Sequence, residues 1–554
     1  MKVKGAKIIV NCLLEQGVKY VFGYPGGAVL DIFDELYQAK DRLTQVLTSH
    51  EQGAAHAADG YARVTGKTGV VLATSGPGAT NLVTGIANAY MDSVPMVAIT
   101  GNVAVSLLGR DSFQEVDIAG ITMPVTKHSY IVKNIHELAD TLREAFLIAS
   151  SGRPGPVLVD IPKNIQQELC DYVPLSPTPC ITEFQATQSG IGKTAELLKK
   201  SEKPILYIGG GVIASNATDR LLRFAEAQSI PIASSMMGLG AVPFDHPLYL
   251  GMIGMHGHAG VAKALTECDT VIAVGARFSD RVATNREKFG TQKSIIHLDI
   301  DLAEIDKNVR SDAHICGDAG QILAHLATLL PPAKHTAWVK ACRNYVKASP
   351  LKRTSDPLCA REILKSIRAL TPDEQIVVTD VGQHQMWTAQ SFSFKKPRTF
   401  LTSGGLGTMG YGLGAAIGAS FALQNNPIVL ITGDGSFHMN LNELVTAVKY
   451  NLPVKIFLFN NHALGMVRQW QTLFYEGRYS STTLNLPTDY KKLSEAFGAK
   501  SLSLEKDAYI EKTVKAALST PGPVLVDCRI SQDAFVLPMV PAGKTVDMII
   551  TDLD

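Results

Sequence analysis

PIVLITGDGS (427–436), LNELVTAVKY (441–450) and VKIFLFNN (454–461) decide how this chain folds. IVLIT is a short apolar run, rich in β-branched residues, that ends in a Gly-Asp-Gly turn. Such a run reads as a strand buried on both faces. LNELVTAVKY carries its apolar residues at helical spacing, and IFLF is a second buried strand. Between GDG and Asn460-Asn461 lie residues 436–459, 24 in all. That length fits a turn, a helix and the return of a parallel strand. Asp434 and Asn461 would then end neighbouring strands, at the edge where open α/β sheets bind ligands. Taken alone, GDG is a tight turn capped by Asp434. With the Asn pair at this spacing it gains a second reading. A carboxylate and an amide oxygen suit Mg²⁺, which usually shares its shell with phosphates. The glycines admit a diphosphate to the backbone, and the next helix N-terminus favours an anion.

The same alternation runs outward through the chain. KYVFGYPGG (19–27), LTQVLTSHE (43–51) and TGVVLATSGPG (68–78) read as strands and turns, with helical patterns between them. PGPVLVD occurs twice, at 154–160 and at 521–527, each time as the last apolar run of its block. The repeat predicts two copies of one domain. KPILYIGGGV (203–212), CDTVIAVGARFSD (268–280) and KSIIHLDID (293–301) give a middle segment its own α/β pattern. The expected fold class is α/β, with three doubly wound parallel-sheet domains at 1–175, 190–335 and 358–554, the first and third duplicated. DYVPLSPTPCITEFQATQSG (171–190) and the basic, proline-bounded 331–357 read as linkers.

The chain has 554 residues, 52 Lys+Arg against 51 Asp+Glu, and 46% hydrophobic residues. That length suggests three or four domains. Near-neutral charge argues against a nucleic-acid or anionic-membrane binder, and the apolar content excludes a mostly disordered chain. Eight cysteines form no CxxC pair, which points to a reducing, cytoplasmic setting without a zinc module. No apolar run reaches a membrane span. The first residues read as an amphipathic helix rather than a signal peptide.

GDG-x24-NN is the thiamine diphosphate motif. From end to end the chain resembles the thiamine-diphosphate enzyme superfamily and, within it, the acetohydroxyacid synthase (acetolactate synthase) catalytic subunits. The resemblance is carried by GYPGGAVLDIFD (23–34), SHEQGAAHAADGYAR (49–63), TSGPGATNL (74–82), DSFQEVDIAGIT (111–122), GRPGPVLVDIPK (152–163), GMIGMHG (251–257), GARFSDRV (275–282), VGQHQMW (381–387), TSGGLGTMGYG (402–412), ALGMVRQWQ (463–471) and VLPMVPAGK (536–544). It implies that Glu51 meets the pyrimidine N1′ of the cofactor and that Met409 supports the bent cofactor. It places Gln114, Phe113 and Lys163 near substrate, with Lys163 in PKN where PKD is common. It assigns Arg281 to a carboxylate and Trp470 to a preference for ethyl over methyl acceptors. On bare sequence these residues are unremarkable: a solvated Glu, a gap-filling Met, a core Trp.

The resemblance also implies cofactor contacts at Pro25, Gly26, Gly27, Pro77, Asn81, Val381, Gly382, Gln383, His384, Gly407, Gly433, Asp434, Gly435, Ser436, Asn461, Gly465 and Met466. Metal ligands would be Asp434, Asn461 and the Ala463 carbonyl. GGGV (209–212) does not complete GxGxxG and is weak by itself. By resemblance, FAD would be lined by Arg153, Gly210, Gly211, Met255, His256, Gly275, Arg277, Asp299, Ile300, Asp318 and Ala319. The implied cofactors are thiamine diphosphate, Mg²⁺ and FAD, the last structural because the net reaction is not redox.

The implied activity joins a hydroxyethyl unit from pyruvate to a second 2-oxo acid, pyruvate or 2-oxobutyrate. It belongs to isoleucine, valine and leucine biosynthesis. The implied assembly is a homodimer or homotetramer whose sites lie between subunits, with a small regulatory subunit as a further partner. The rival readings are an FAD-free catabolic acetolactate synthase and a flavin-dependent pyruvate oxidase. A non-catalytic flavin- or nucleotide-binding subunit would need a broken thiamine site, whereas Glu51, Asp434 and Asn461 are all present.

Overall fold

A computed structural model describes residues 2–177, 188–353, 356–424, 426–485 and 487–552. Eighteen strands form three six-stranded parallel sheets. The first sheet holds β1 (Tyr20–Gly23), β2 (Thr44–Leu47), β3 (Gly69–Ala73), β4 (Met96–Asn102), β5 (His128–Ile131) and β6 (Pro156–Pro162). The second holds β7 (Pro204–Ile208), β8 (Ile232–Ser234), β9 (Tyr249–Met252), β10 (Thr270–Val274), β11 (Ser294–Asp299) and β12 (Ala313–Cys316). The third holds β13 (Val377–Thr379), β14 (Phe400–Leu401), β15 (Ile428–Gly433), β16 (Val454–Asn460), β17 (Lys500–Leu504) and β18 (Val524–Arg529). Strands Lys2–Lys4 and Leu169–Asp171 pair apart from these as a small antiparallel ribbon.

The spatial orders explain the internal repeat. The first sheet runs β2-β1-β3-β4-β6-β5 and the third runs β14-β13-β15-β16-β18-β17. Counted within each sheet, both orders are 2-1-3-4-6-5. The two PGPVLVD copies supply the equivalent strands β6 and β18. The middle sheet differs: β9-β8-β7-β10-β11-β12 is 3-2-1-4-5-6, the order of dinucleotide-binding folds. The central strands are buried along nearly their whole length, as continuous apolar runs require, whereas edge strands such as β5 and β17 are largely not.

One apolar core crosses from the first domain to the third. Its centre is the contact of α1 (Glu51–Thr65) with a later helix, Tyr411–Leu423. α1 is alanine-rich. The His50 ring accepts from the Gln52 amide at its start, and Gly66 closes it with φ 71°. Small residues face small residues across this contact. A β-carbon at Gly60 would lie 2.7 Å from Ala415 Cα, and one at Gly414 would lie 2.8 Å from His56 Cβ. Glycine is required there by close approach rather than by a turn.

Two sequence readings need correction or limits. The 331–357 stretch is not merely a linker. It contains a helix, Thr336–Ala348, that buries Trp338 and Cys342 against the middle domain, and the Trp338 indole donates to the Pro204 carbonyl at 2.9 Å. Of the 171–190 linker, residues 178–187 lie outside the described residues. Among the described residues seven cysteines are free, and no helix is long and apolar enough to cross a membrane.

Candidate functional site

β15 and β16 pair in parallel, with Gly433 opposite Phe459. Asp434 and Asn461 therefore leave the sheet side by side. A cavity opens there, lined by Val381, Gly382, Gln383, His384, Met409, Gly433, Asp434, Gly435, Ser436, Asn461, Ala463, Gly465 and Met466. All were anticipated, whereas Trp387, Phe459, Leu464, Val467 and Ile530 complete the wall unpredicted. Gly407, with φ 72°, is not among the lining residues and shapes the loop before Met409 instead.

The polar groups of the wall are held by bonds to one another and to their neighbours. Asn461 Oδ1 accepts from the Ala463 amide at 3.1 Å, and its Nδ2 donates to Gln383 Oε1 at 3.3 Å. Gln383 donates in turn to Gln469 and to the Ala534 carbonyl. Ser436 donates to the Val381 carbonyl at 2.7 Å. The glycines make room: a β-carbon at Gly433 would meet the His384 ring at 2.9 Å, and one at Gly435 would meet Leu464 at 2.7 Å.

Burial pushes the Asp434 carboxyl up to about 7, against bonds from the Gly435 and His462 amides. A cation held against it would restore the ionised form. Among the described residues no three His, Cys, Asp or Glu side chains gather as a metal cluster. One carboxylate, one amide oxygen and a carbonyl fit Mg²⁺ only if phosphate and water fill the shell. Burial holds His384 down at about 3, so the ring is neutral. Its Nε2 is buried without a partner, an unmet demand that a bound group can satisfy.

Asp380 was missed by the sequence reading. Its buried carboxylate accepts from the amides of Val381, Gly410 and Gly412 at 3.0, 2.8 and 3.3 Å and so ties β13 to the Met409 loop. Burial raises it to about 6. Like Asp434 it is an acid ending an apolar run, TDV after QIVV, and that was the available signal.

The first domain presents a second cluster at its own carboxyl edge. Glu51 opens α1, buried, and Asn81 donates to its Oε2 at 2.9 Å. Gly78, beside Pro77, approaches Glu51 so closely that a β-carbon would stand 3.2 Å from Oε1. Pro25, Gly26 and Gly27 follow β1, and Lys163 donates to the Gly27 carbonyl at 3.2 Å. Gln114 has φ 59° and packs on Gly76. Phe113 is 87% exposed. No residue of this cluster lines the third-domain cavity.

Neither Arg281 nor Trp470 is among the residues that line the cavity. The Arg281 side chain is 55% exposed, its nearest charge Asp280 at 3.9 Å and its Nη1 3.6 Å from Met255 Sδ. Trp470 sits one turn along from Val467 in the helix Gly465–Phe474, its indole N–H buried without a partner.

In the middle domain, Gly210 and Gly211 follow β7 and Gly275 follows β10, the adjacent strands at the switch point of the sheet. A β-carbon at Gly211 would lie 2.6 Å from Gly275 Cα. Arg277 follows β10, Asp299 ends β11 with Ile300 next, and Asp318 caps the helix starting at Ala319. Met255 and His256 follow β9. Burial, then Arg281, holds His256 down at about 4, and its Nδ1 has no partner. Arg153 pairs with Asp301 at 3.1 Å and Glu304 at 2.7 Å, joining the first domain to this edge.

Sequence models of the thiamine pyrophosphate enzyme family match all three domains: the N-terminal TPP binding domain over 3–121, the central domain over 191–326 and the C-terminal TPP binding domain over 380–528. The chain is 45% identical to a probable acetolactate synthase large subunit of Methanocaldococcus jannaschii, covering 99% of this chain and 95% of the relative. It is 45% identical to the acetolactate synthase isozyme 2 large subunit of Escherichia coli K12, over 98% of each. It is 44% identical to the acetolactate synthase large subunit of Parasynechococcus marenigrum, over 98% of this chain and 90% of the relative. The chain belongs to the acetolactate synthase large-subunit family of thiamine pyrophosphate enzymes. Its TPP binding domains account for the duplicated sheets, and the third of them carries the cavity. With the family in hand, the 3-2-1-4-5-6 sheet is its central domain.

Proposed function

We propose that the chain decarboxylates pyruvate and ligates the two-carbon unit to a second 2-oxo acid. Pyruvate as acceptor gives 2-acetolactate, and 2-oxobutyrate gives 2-aceto-2-hydroxybutyrate. One observation carries this reading: the Asp434–Asn461 edge and its glycine-lined cavity, in a chain alike end to end to acetolactate synthase large subunits.

Bound thiamine diphosphate supplies the electron sink that permits decarboxylation of a 2-oxo acid. Asp434, Asn461 and the Ala463 carbonyl would hold Mg²⁺, and Gly433, Gly435, Gly382 and His384 the diphosphate. Met409 would support the bent cofactor. Glu51, with Oε2 held by Asn81, would share a proton with the pyrimidine N1′ through its other oxygen. Its burial keeps water from competing for that proton. Gln114, Phe113 and Lys163 would flank the substrate. Arg281 can grip the acceptor carboxylate, and Trp470 tests its alkyl group.

The separation of Glu51, Phe113 and Gln114 from the cavity supports sites shared between chains, in a homodimer or a homotetramer. The buried, unpartnered His256 Nδ1 and the Gly210–Gly211–Gly275 approach at a dinucleotide-type switch point support FAD in the middle domain, in a structural role. Relatives named as large subunits support a small regulatory subunit as partner. The division into domains at 1–175, 190–335 and 358–554 and a cytoplasmic setting complete the proposal.

The test is the product balance with pyruvate, thiamine diphosphate, Mg²⁺ and FAD. Two pyruvates lost per acetolactate, with the flavin staying oxidised, support the ligase. Acetate or peroxide, with flavin bleaching at turnover rate, would favour the pyruvate oxidase. Full activity of a colourless preparation without added FAD would favour the FAD-free synthase.

A further inference from the structure

A buried polar network joins the start of the molecule to the loop that carries Met409. It begins on α1. Arg63 pairs with Asp59 at 2.6 Å and with Asp92 at 2.8 Å. Asp59 also accepts from Asn88 at 3.2 Å and from the hydroxyl of Tyr411, in the third domain, at 2.7 Å. Asn88 and Asp92 then reach across the domain boundary. Asp92 accepts from the amides of Gly404 and Gly405 at 3.0 and 2.7 Å. Asn88 Oδ1 accepts from Ser403 at 2.5 Å and from Thr408 at 3.3 Å, and Ser403 accepts from the Thr408 amide at 2.8 Å. The opposite end of the loop is tied down inside the third domain by Asp380 to Gly410.

These bonds are too many and too specific for a mere domain contact. Four groups of a glycine-rich loop, residues 403, 404, 405 and 408, are anchored by two side chains of another domain. With Gly407 at φ 72° the loop has little intrinsic preference for one shape. Charge-assisted bonds to backbone N–H groups supply that preference. The next residue, Met409, forms part of the cavity wall.

We propose that Asn88 and Asp92 are positioning residues for Met409: held by the Asp59–Arg63 pair, they let the first domain of a chain set the cofactor support of that chain's own third domain. The inference rests on the role proposed above for Met409 and on sites shared between chains. On that reading α1 serves two sites at once. Its first residue, Glu51, enters one site, while Asp59 and Arg63 shape the other.

The experiment compares Asp92→Asn and Ser403→Ala with the wild-type holoenzyme. Amide exchange in peptide 403–410 is expected to rise about tenfold in both, with peptides of β15 and β16 unchanged. The circular-dichroism band of bound thiamine diphosphate should shift, and kcat should fall about tenfold, with a smaller change in pyruvate KM. Faster exchange with an unaltered band and kcat would make the network purely structural and overturn the proposal. Purified mixed dimers then separate the two assumptions. Glu51→Gln paired with Met409→Ala restores about half the wild-type rate if sites are shared. Glu51→Gln paired with Asp92→Asn restores the same half if Asp92 acts on its own chain's loop. Recovery in the first pair but not the second overturns the proposal. Recovery in neither refutes shared sites, and with them the two-site role of α1.

Discussion

Gly418→Ala tests the contact that sets the two thiamine domains against each other. Gly418 lies in the helix Tyr411–Leu423 and faces α1. An added β-carbon would overlap the Ala57 carbonyl oxygen and stand 2.6 Å from the Ala57 carbonyl carbon and 2.9 Å from its Cα. All three atoms are backbone, so no rotamer change can relieve them. Overpacking of this kind costs about 1–3 kcal/mol. Alanine's better helix preference returns up to about 1 kcal/mol. Because the clash is with backbone, the upper part of the range applies, and the net loss is about 2 kcal/mol. Gly192→Ala is the matched control. It is also inside a helix, Gln188–Lys200, but nothing stands within 4 Å of its added carbon. It should gain up to about 1 kcal/mol. Thermal or urea unfolding of the two variants beside wild type should give shifts of opposite sign. An unfolding midpoint for Gly418→Ala at or above wild type would refute the close-packing argument.

His56, fully buried on α1, sits lower than usual at about 4, burial being the main cause. The unfolded chain takes up a proton at this residue near pH 6.5 and the folded chain only near 4. Stability is thus lost as pH falls through that window, by about 3 kcal/mol for this group. His56→Gln should flatten the acid limb between pH 6.5 and 4, and an unchanged limb would place the sensitivity elsewhere. Asp434→Asn removes the only carboxylate of the cavity wall among the described residues. Mg²⁺-dependent thiamine diphosphate affinity, followed by quenching of protein fluorescence, should fall by about 100-fold or more, and retained affinity would remove Asp434 from the metal site. Trp470→Leu should lower the preference for 2-oxobutyrate over pyruvate in direct competition, by about 1–3 kcal/mol. An unchanged product ratio would make Trp470 a packing residue only.

The strand–turn–helix–strand unit at 427–461 was legible because buried parallel strands are apolar throughout and because GDG and the Asn pair fix their spacing. The duplication was legible in PGPVLVD, but the 2-1-3-4-6-5 order was not: which strands lie side by side depends on long-range pairing that local residues do not encode. The helix Thr336–Ala348 was read as a linker because only Trp338 and Cys342 of it are buried and prolines bound it. The third-domain wall was legible from motif residues. Its apolar members Leu464, Phe459 and Ile530 were not, since nothing distinguishes them from core. Phe113 and Gln114 carry motif identity yet lie exposed and apart from the cavity. No sequence states which chain a half-site faces. Asn88 and Asp92 were invisible for a related reason. Their partners in the Met409 loop lie more than 300 residues away.

The central claim is that Glu51 and the Asp434 cavity together make acetolactate. Its most direct measurement is acetolactate formed from pyruvate by the wild-type chain and by Glu51→Gln, each saturated with thiamine diphosphate, Mg²⁺ and FAD, with acetoin read after acid treatment. The account predicts steady acetolactate synthesis by the wild type and a loss of at least about 100-fold in the variant, the scale of removing a general acid–base group. Equal rates in the two proteins, or no acetolactate from the fully loaded wild type, would contradict it.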